Sequence, residues 1–165
     1  MIESIFNALK GLGNEFALFL VSIIPFIELR GSIPFGIGVL KMAWYEVLPI
    51  CVLANCVPIP FVMLLTRPIF DRLKKTKLFA GPVEKLEARM MKKSEKVTKY
   101  KIIGLFLFVA LPIPGTGAYS GALIAALLDM RYKKAIPSIA LGLIVAGIIM
   151  TVVSLLGVHG YKLLA

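Results

Sequence analysis

The sequence predicts an all-α integral membrane protein made of two inverted repeats. Each repeat is a re-entrant helical hairpin plus a transmembrane helix, with a cytoplasmic amphipathic helix between them. Three observations lead there. Of 165 residues, 59% are hydrophobic and only 17% charged, against roughly 25% charged in a soluble domain. The shortfall is concentrated in 16–27, 47–66, 102–128 and 135–158, and about 20 apolar residues are enough to cross the hydrocarbon core. Two of these segments span comfortably, the other two belong to runs broken by proline, glycine or charge, and the whole arrangement recurs on either side of a basic segment. We treat 1–165 as one membrane domain, with repeat 1 at 13–66, a basic connector at 67–101 and repeat 2 at 102–158.

In repeat 1, residues 13–25 read as a helix, 26–31 as an interruption, 32–40 as a second short helix and 46–66 as a span. In repeat 2, 101–111 is helical, "PIPGTG" (112–117) interrupts, 118–128 resumes and 134–157 spans. Proline removes a donor and glycine admits unusual dihedrals, so this density of both breaks a helix. A shift of 88 residues sets "MAWYEVLPI" (42–50) on "MRYKKAIPS" (130–138), pairing Trp44 with Tyr132 and Pro49 with Pro137. Identity across the two halves is low, so the recurring order of break, loop and span carries the repeat. Thirteen helical residues reach about 20 Å, short of a ~30 Å core. Each broken run is therefore expected to enter and leave by one face, which inverts the second repeat relative to the first; a single kinked span is the competing geometry.

Charge supplies the orientation. Of 19 Lys and Arg, 12 lie between Arg67 and Lys101, and Arg131, Lys133 and Lys134 share a short loop. Clusters of this kind mark the cytoplasmic side and suit anionic lipid. Residues 67–101 are thus expected in the cytoplasm, with both termini outside, in the plasma membrane of a prokaryotic cell. Within the connector, Val83, Leu86, Met90 and Val97 recur near helical spacing among lysines, as in a helix lying on the interface, although a solvated loop has a similar pattern. The net charge of +10 does not indicate nucleic acid, because no stacking aromatics accompany it. Cys51 and Cys56, five apart, match neither a redox pair nor a metal site. His159 is the sole histidine, so no metal, cofactor or catalytic set is expected. The apolar N-terminal stretch has no small-residue cleavage site after it and is read as retained.

The residues that stand out are Glu28 and Arg30 in "PFIELRGSIPFG" (25–36). A charge at the bilayer centre costs about 2.5–3.5 kcal/mol on insertion scales, so intramembrane charges are usually put to use. Arg30 suits an anion or phosphate head, and Glu28 a proton carrier whose pKa burial would raise. A salt bridge that pins the tip, or snorkelling at the interface, would account for them without a site. Gly31 and Ser32 would open the short helix, presenting freed amides to an anion, with Pro34 close behind. On the opposing tip, Pro112, Pro114, Gly115, Thr116, Gly117, Tyr119 and Ser120 offer hydroxyls and close approach. Gly117, Gly121 and Ala125 also form a packing ladder of small residues. Asn55, polar within a span, is a neighbour of the site or an interhelical hydrogen bond.

"PFIELRGSIPFGIG" and "ALPIPGTGAYSGALIAALL", split by a basic loop, resemble the small multidrug export protein family, which is related to the DedA/VTT-domain membrane superfamily. The resemblance covers nearly the whole chain. It implies opposed re-entrant hairpins in inverted repeats and a role in moving lipids, including polyprenyl-phosphate carriers, or in proton-driven drug tolerance. Glu28 with Pro34 matches the acidic first-hairpin motif, and "IPGTG" the second. The arginines of the second DedA motif are replaced here by Leu111 and Gly117, leaving Arg30 as the tip cation.

The expected activity is a small transporter or lipid flippase, with no enzymatic step. It would move an anionic, lipid-linked or amphiphilic drug substrate through a midplane cavity, with Glu28 exchanging protons. Membrane lipids and a second copy of the chain are the expected partners. A non-transporting membrane scaffold is the alternative, and there the charges would only hold the hairpin.

Overall fold

The computed structural model describes residues 13–74, 81, 82, 84, 85, 88, 89, 101–113, 115–128 and 130–164, and their regular structure is entirely helical. Helix α1 (Asn14–Ile23) stops where Ile24 precedes Pro25. A residue before proline is driven to extended backbone, and Ile24 has φ −67° and ψ 124°. The break is only Ile24–Ile27, because Glu28 N already donates to Ile24 O at 3.0 Å and Gly31 N to Ile27 O at 2.9 Å. Helix α2 (Glu28–Pro34) follows, and past Pro34 it widens into one π-helical turn, Phe35–Val39. The expected interruption at 26–31 is thus corrected. Pro25, and not the charged or glycine positions, breaks the helix, and Glu28, Arg30 and Gly31 lie inside the second arm.

The first broken run folds back on itself. A Cβ on Gly36 would sit 3.2 Å from Leu18 Cδ1 and 2.9 Å from both Val47 methyls. In one continuous helix Leu18 and Gly36 would be about 27 Å apart. The second run does the same between α5 (Lys101–Ala110) and α6 (Ala118–Leu127). A Cβ on Gly121 would meet Val109 Cγ2 at 2.7 Å and Leu105 Cδ1 at 3.8 Å.

Two long apolar helices accompany the hairpins. The first is α3 (Trp44–Cys56) running through Val57 into α4 (Pro58–Lys74), and the second is α7 (Tyr132–Leu164). Both begin at a large aromatic, Trp44 and Tyr132, 88 residues apart, and carry Pro49 and Pro137 at the same step. The helices outrun expectation: α4 continues past residue 66 to Lys74, and α7 past 157 to Leu164. Of the expected amphipathic helix, Gly81, Pro82, Glu84, Lys85, Ala88 and Arg89 are helical, while Val83, Leu86, Met90 and Val97 lie outside the described residues.

Within Trp44–Thr66 and Tyr132–His159, only 33% and 39% of the most apolar window is buried against protein. The outward faces carry Leu53, Phe61, Leu64, Ile148, Val153 and Leu156. A soluble core helix would turn such side chains inward, and exposed apolar surface on this scale marks contact with another apolar phase.

The chain divides into two compact units, and the divide cuts both long helices rather than falling in the connector between the two expected repeats. The first unit holds the first hairpin, the long helix to Val57, and α7 from Leu143. There a Cβ on Gly147 would lie 2.7 Å from Leu48 Cδ1 and 3.7 Å from Ile33 Cδ1. The second unit holds α4, the second hairpin and α7 as far as Gly142. There α4 packs on α6, and Ser138 Oγ donates to Ile102 O at 2.6 Å, tying α7 to α5.

Candidate functional site

In the first unit, α2 runs antiparallel to α3. Gly36 meets Val47, and one turn earlier Ser32 Oγ donates to Cys51 Sγ at 3.2 Å. The Ser22 hydroxyl on α1 also comes within hydrogen-bonding range of the Cys51 thiol, while Ser22 Oγ donates to Leu18 O at 2.8 Å. A buried polar seam therefore links all three helices of the hairpin and span.

Glu28 lies at the head of α2 and is only 7% exposed. Its φ is +47°, a left-handed conformation that costs a long side chain of order 1–3 kcal/mol and clusters at functional positions. The Glu28 carboxylate is close enough to attract the half-buried Arg30 guanidinium. Asn55, fully buried on α3, donates Nδ2 to Cys51 O at 2.8 Å, while its Oδ1 is buried with no hydrogen-bond donor.

The expectation that Ser32 and the amides after Gly31 would face an anion is corrected. Gly31 N donates to Ile27 O, and the amides that follow lie inside α2, where helical carbonyls take them. The reason is again that the break falls earlier. Gly31 is present for closeness, since a Cβ there would be 2.6 Å from Ile27 Cγ2. Pro34 cannot donate to the carbonyl one turn back, which fits the widening that follows it.

The remaining expected site residues belong to the second unit. Gly115 and Gly117 have φ +82° and +147°, angles that only glycine adopts cheaply. Thr116 Oγ1 reaches Leu111 O at 2.7 Å and Ile113 O at 2.9 Å, so its hydroxyl closes the tip. Thr116→Val is expected to lower unfolding stability by about 1 kcal/mol, the net worth of a hydrogen bond. Thermal unfolding in detergent checks this, with Thr116→Ser recovering the loss. Pro112, Tyr119 and Ser120 are partly exposed beside the tip, and Pro114 lies outside the described residues.

An open, apolar groove of about 440 Å³ also runs along the second unit, with Ile102, Phe106, Pro137 and Leu141 on its walls and Lys133 and Lys134 among its lining residues. Sequence reasoning passed over Cys51, Ser22 and Ser138 as polar partners. The signal was there in Cys51 and Asn55, four apart on one apolar helix. Among the described residues no three His, Cys, Asp or Glu side chains gather where a metal could bind.

Comparison with known proteins adds the family. A model of the family described as "Putative small multi-drug export protein" matches residues 28–149, about three quarters of the chain. No curated protein and no solved structure matches it. The matched stretch opens on Glu28 and takes in the second arm of the first hairpin, the whole second hairpin motif and just over half of α7. With two apolar, outward-facing helices and this family match, the chain is a membrane protein and belongs to the small multidrug export family.

Proposed function

We propose that the protein is a proton-coupled transporter of anionic amphiphiles or lipid-linked anions, with no enzymatic step, and that Glu28 and Arg30 form its substrate and proton site. The observation that carries the reading is Glu28 itself, a carboxyl buried at a strained left-handed position in an apolar chain. Neither burial nor strain persists without surroundings that over-determine it. Arg30, held beside Glu28, supplies a cation to an anionic head group. The groove lined by Ile102, Phe106 and Leu141 with Lys133 and Lys134 has the composition that suits an acyl or prenyl chain ending in an anion.

In this reading the two hairpins are re-entrant and the repeats inverted. The packing inside each unit supports it. The first hairpin lies with the start of its own long helix and the end of α7, whereas the second lies with α4 and the start of α7. Such an exchange of partners is what inverted repeats require, and transporters of that architecture place their sites at broken helices. The same order of elements supports kinship with the DedA/VTT superfamily.

The test is reconstitution into liposomes with a pH gradient, reading two probes. An NBD-labelled phosphatidylglycerol reports lipid movement, and an anionic amphiphilic dye reports solute export. Movement of either probe that follows the gradient supports transport. Movement of neither, with folded protein present in the vesicles, overturns it in favour of a scaffold.

A further inference from the structure

The antiparallel register of the first hairpin's second arm against α3 has a third step. Gly36 meets Val47, and Ser32 meets Cys51. Moving four residues back along α2 and four forward along α3 brings Glu28 level with Asn55. Both pairs of steps are single helical turns on one face, since residues four apart lie one above the other. The two buried polar side chains of this level are then a carboxyl and an amide whose Oδ1 has no donor. The amide orientation is set by Nδ2, which is committed to Cys51 O, so Oδ1 is the acceptor turned away from it. A buried acceptor left unsatisfied carries a desolvation penalty comparable to a lost hydrogen bond. Native interiors rarely leave one that way.

We propose that Asn55 Oδ1 is the acceptor for protonated Glu28, so that the pair forms a hydrogen bond present only when the acid is neutral. The carboxylate takes its proton from water that reaches the site. The resulting O–H donates to Asn55 Oδ1, and on release the ionised group turns to Arg30. Asn55 thereby acts as a positioning residue for the proton and holds the neutral state in place within the hydrocarbon. This deepens the proposed proton-coupled site and rests on that reading for its use in transport, but not for its chemistry.

Among the described residues, the polar and charged groups on the elements packed at this level are these. Arg30 is on its own arm, and α3 brings Asn55 and, one turn on, Cys51. From α1 the buried polar neighbour of this seam is Ser22, while Glu15 sits exposed in the first turn. Glu46 is exposed at the start of α3. The stretch of α7 in this unit reaches α2 through Gly147 and Ile33, without charge. The sign follows directly. A bond made only by the neutral acid raises its folded pKa, so the added stability is present at low pH and is lost as pH rises through that value.

The experiment titrates the purified full chain in detergent by infrared difference spectroscopy, with Glu28→Gln subtracted to isolate the carboxyl band. In wild type the protonated carboxyl stretch should fall at the frequency of a hydrogen-bonded acid. Asn55→Leu should move it to that of a free acid and lower the apparent pKa by up to about one unit, a tenfold change. A free-acid band in wild type overturns the pairing even if the Asn55 variant does not fold. So does a pKa unchanged by Asn55→Leu. The infrared result without flux would leave the pair standing and remove transport. Gradient-driven flux without the infrared result would do the reverse.

Discussion

Proteoliposomes carrying Glu28→Gln are expected to lose gradient-driven movement of the probe by roughly tenfold or more, because an intramembrane carboxyl that exchanges protons has no substitute here. Among the described residues of the first unit, Glu28 is the single buried carboxyl; the other buried polar groups are hydroxyls, a thiol and an amide. Glutamine keeps the length and the polarity of the side chain but cannot ionise. It also removes a charge whose burial is unfavourable unless fully compensated, so the protein should melt within a few degrees of wild type. That combination, lost flux in a folded protein, separates transport from a scaffold. If the charges merely pin the hairpin, Glu28→Gln lowers abundance and leaves flux per folded molecule unchanged. Glu28→Asp is the companion variant: it ionises but is one methylene shorter, so flux should be reduced and not abolished.

The largest structural effect is expected at Gly142, where α7 crosses α5. A Cβ there would lie 2.8 Å from Val109 Cβ and 2.9 Å from the backbone oxygen of Phe106. Outer side-chain atoms can rotate away, but a Cβ and a helical carbonyl both move only with their helix. Gly142→Ala should therefore destabilise by about 1–3 kcal/mol, the usual range for overpacking a filled interior. Gly121→Ala makes an informative contrast, because its severe contact is with Val109 Cγ2 alone, at 2.7 Å. Adding Val109→Ala should relieve most of the clash in the Gly121→Ala protein, beyond the loss that Val109→Ala causes by itself. In the Gly142→Ala protein it should relieve little, since alanine at 109 removes only the Cγ1 contact at 3.0 Å and leaves both its own Cβ and Phe106 O in place. Gly38→Ala, with nothing within 4 Å, is the neutral control. Unfolding midpoints of these six variants and wild type in detergent check all three statements, and full rescue of Gly142→Ala would refute the backbone contact.

Much of this protein was legible in the sequence. The two long helices were legible because a run of apolar side chains is a local signal, although they start at Trp44 and Tyr132, two residues ahead of the expected 46 and 134 and inside the Met-aromatic loops. The second hairpin's break, expected at 112–117, was equally plain, since Gly115 and Gly117 adopt positive φ and proline and glycine announce a break by composition; the helix before it ends one residue sooner, at Ala110. The first break was misplaced by a few residues. Glu28, Arg30 and Gly31 looked like the interruption because charge and glycine are unusual in apolar helix. Proline acts on the residue before it, however, and Pro25 ended α1 at Ile23.

The polar seam lay further from reach. Ser22, Ser32, Cys51 and Asn55 are ordinary residues one at a time, and nothing local says which of them meet. Composition and periodicity determined by themselves that the chain is helical and apolar enough for a membrane, because those properties follow from hydropathy and from where helices cannot continue. Only the tertiary structure decided that Glu28 is buried with a left-handed backbone, that Ser32 faces Cys51, and that Asn55 keeps an acceptor in reserve. Each of those depends on the register between helices far apart in sequence, and register is set by close contacts such as Gly36 against Val47, which no single helix contains.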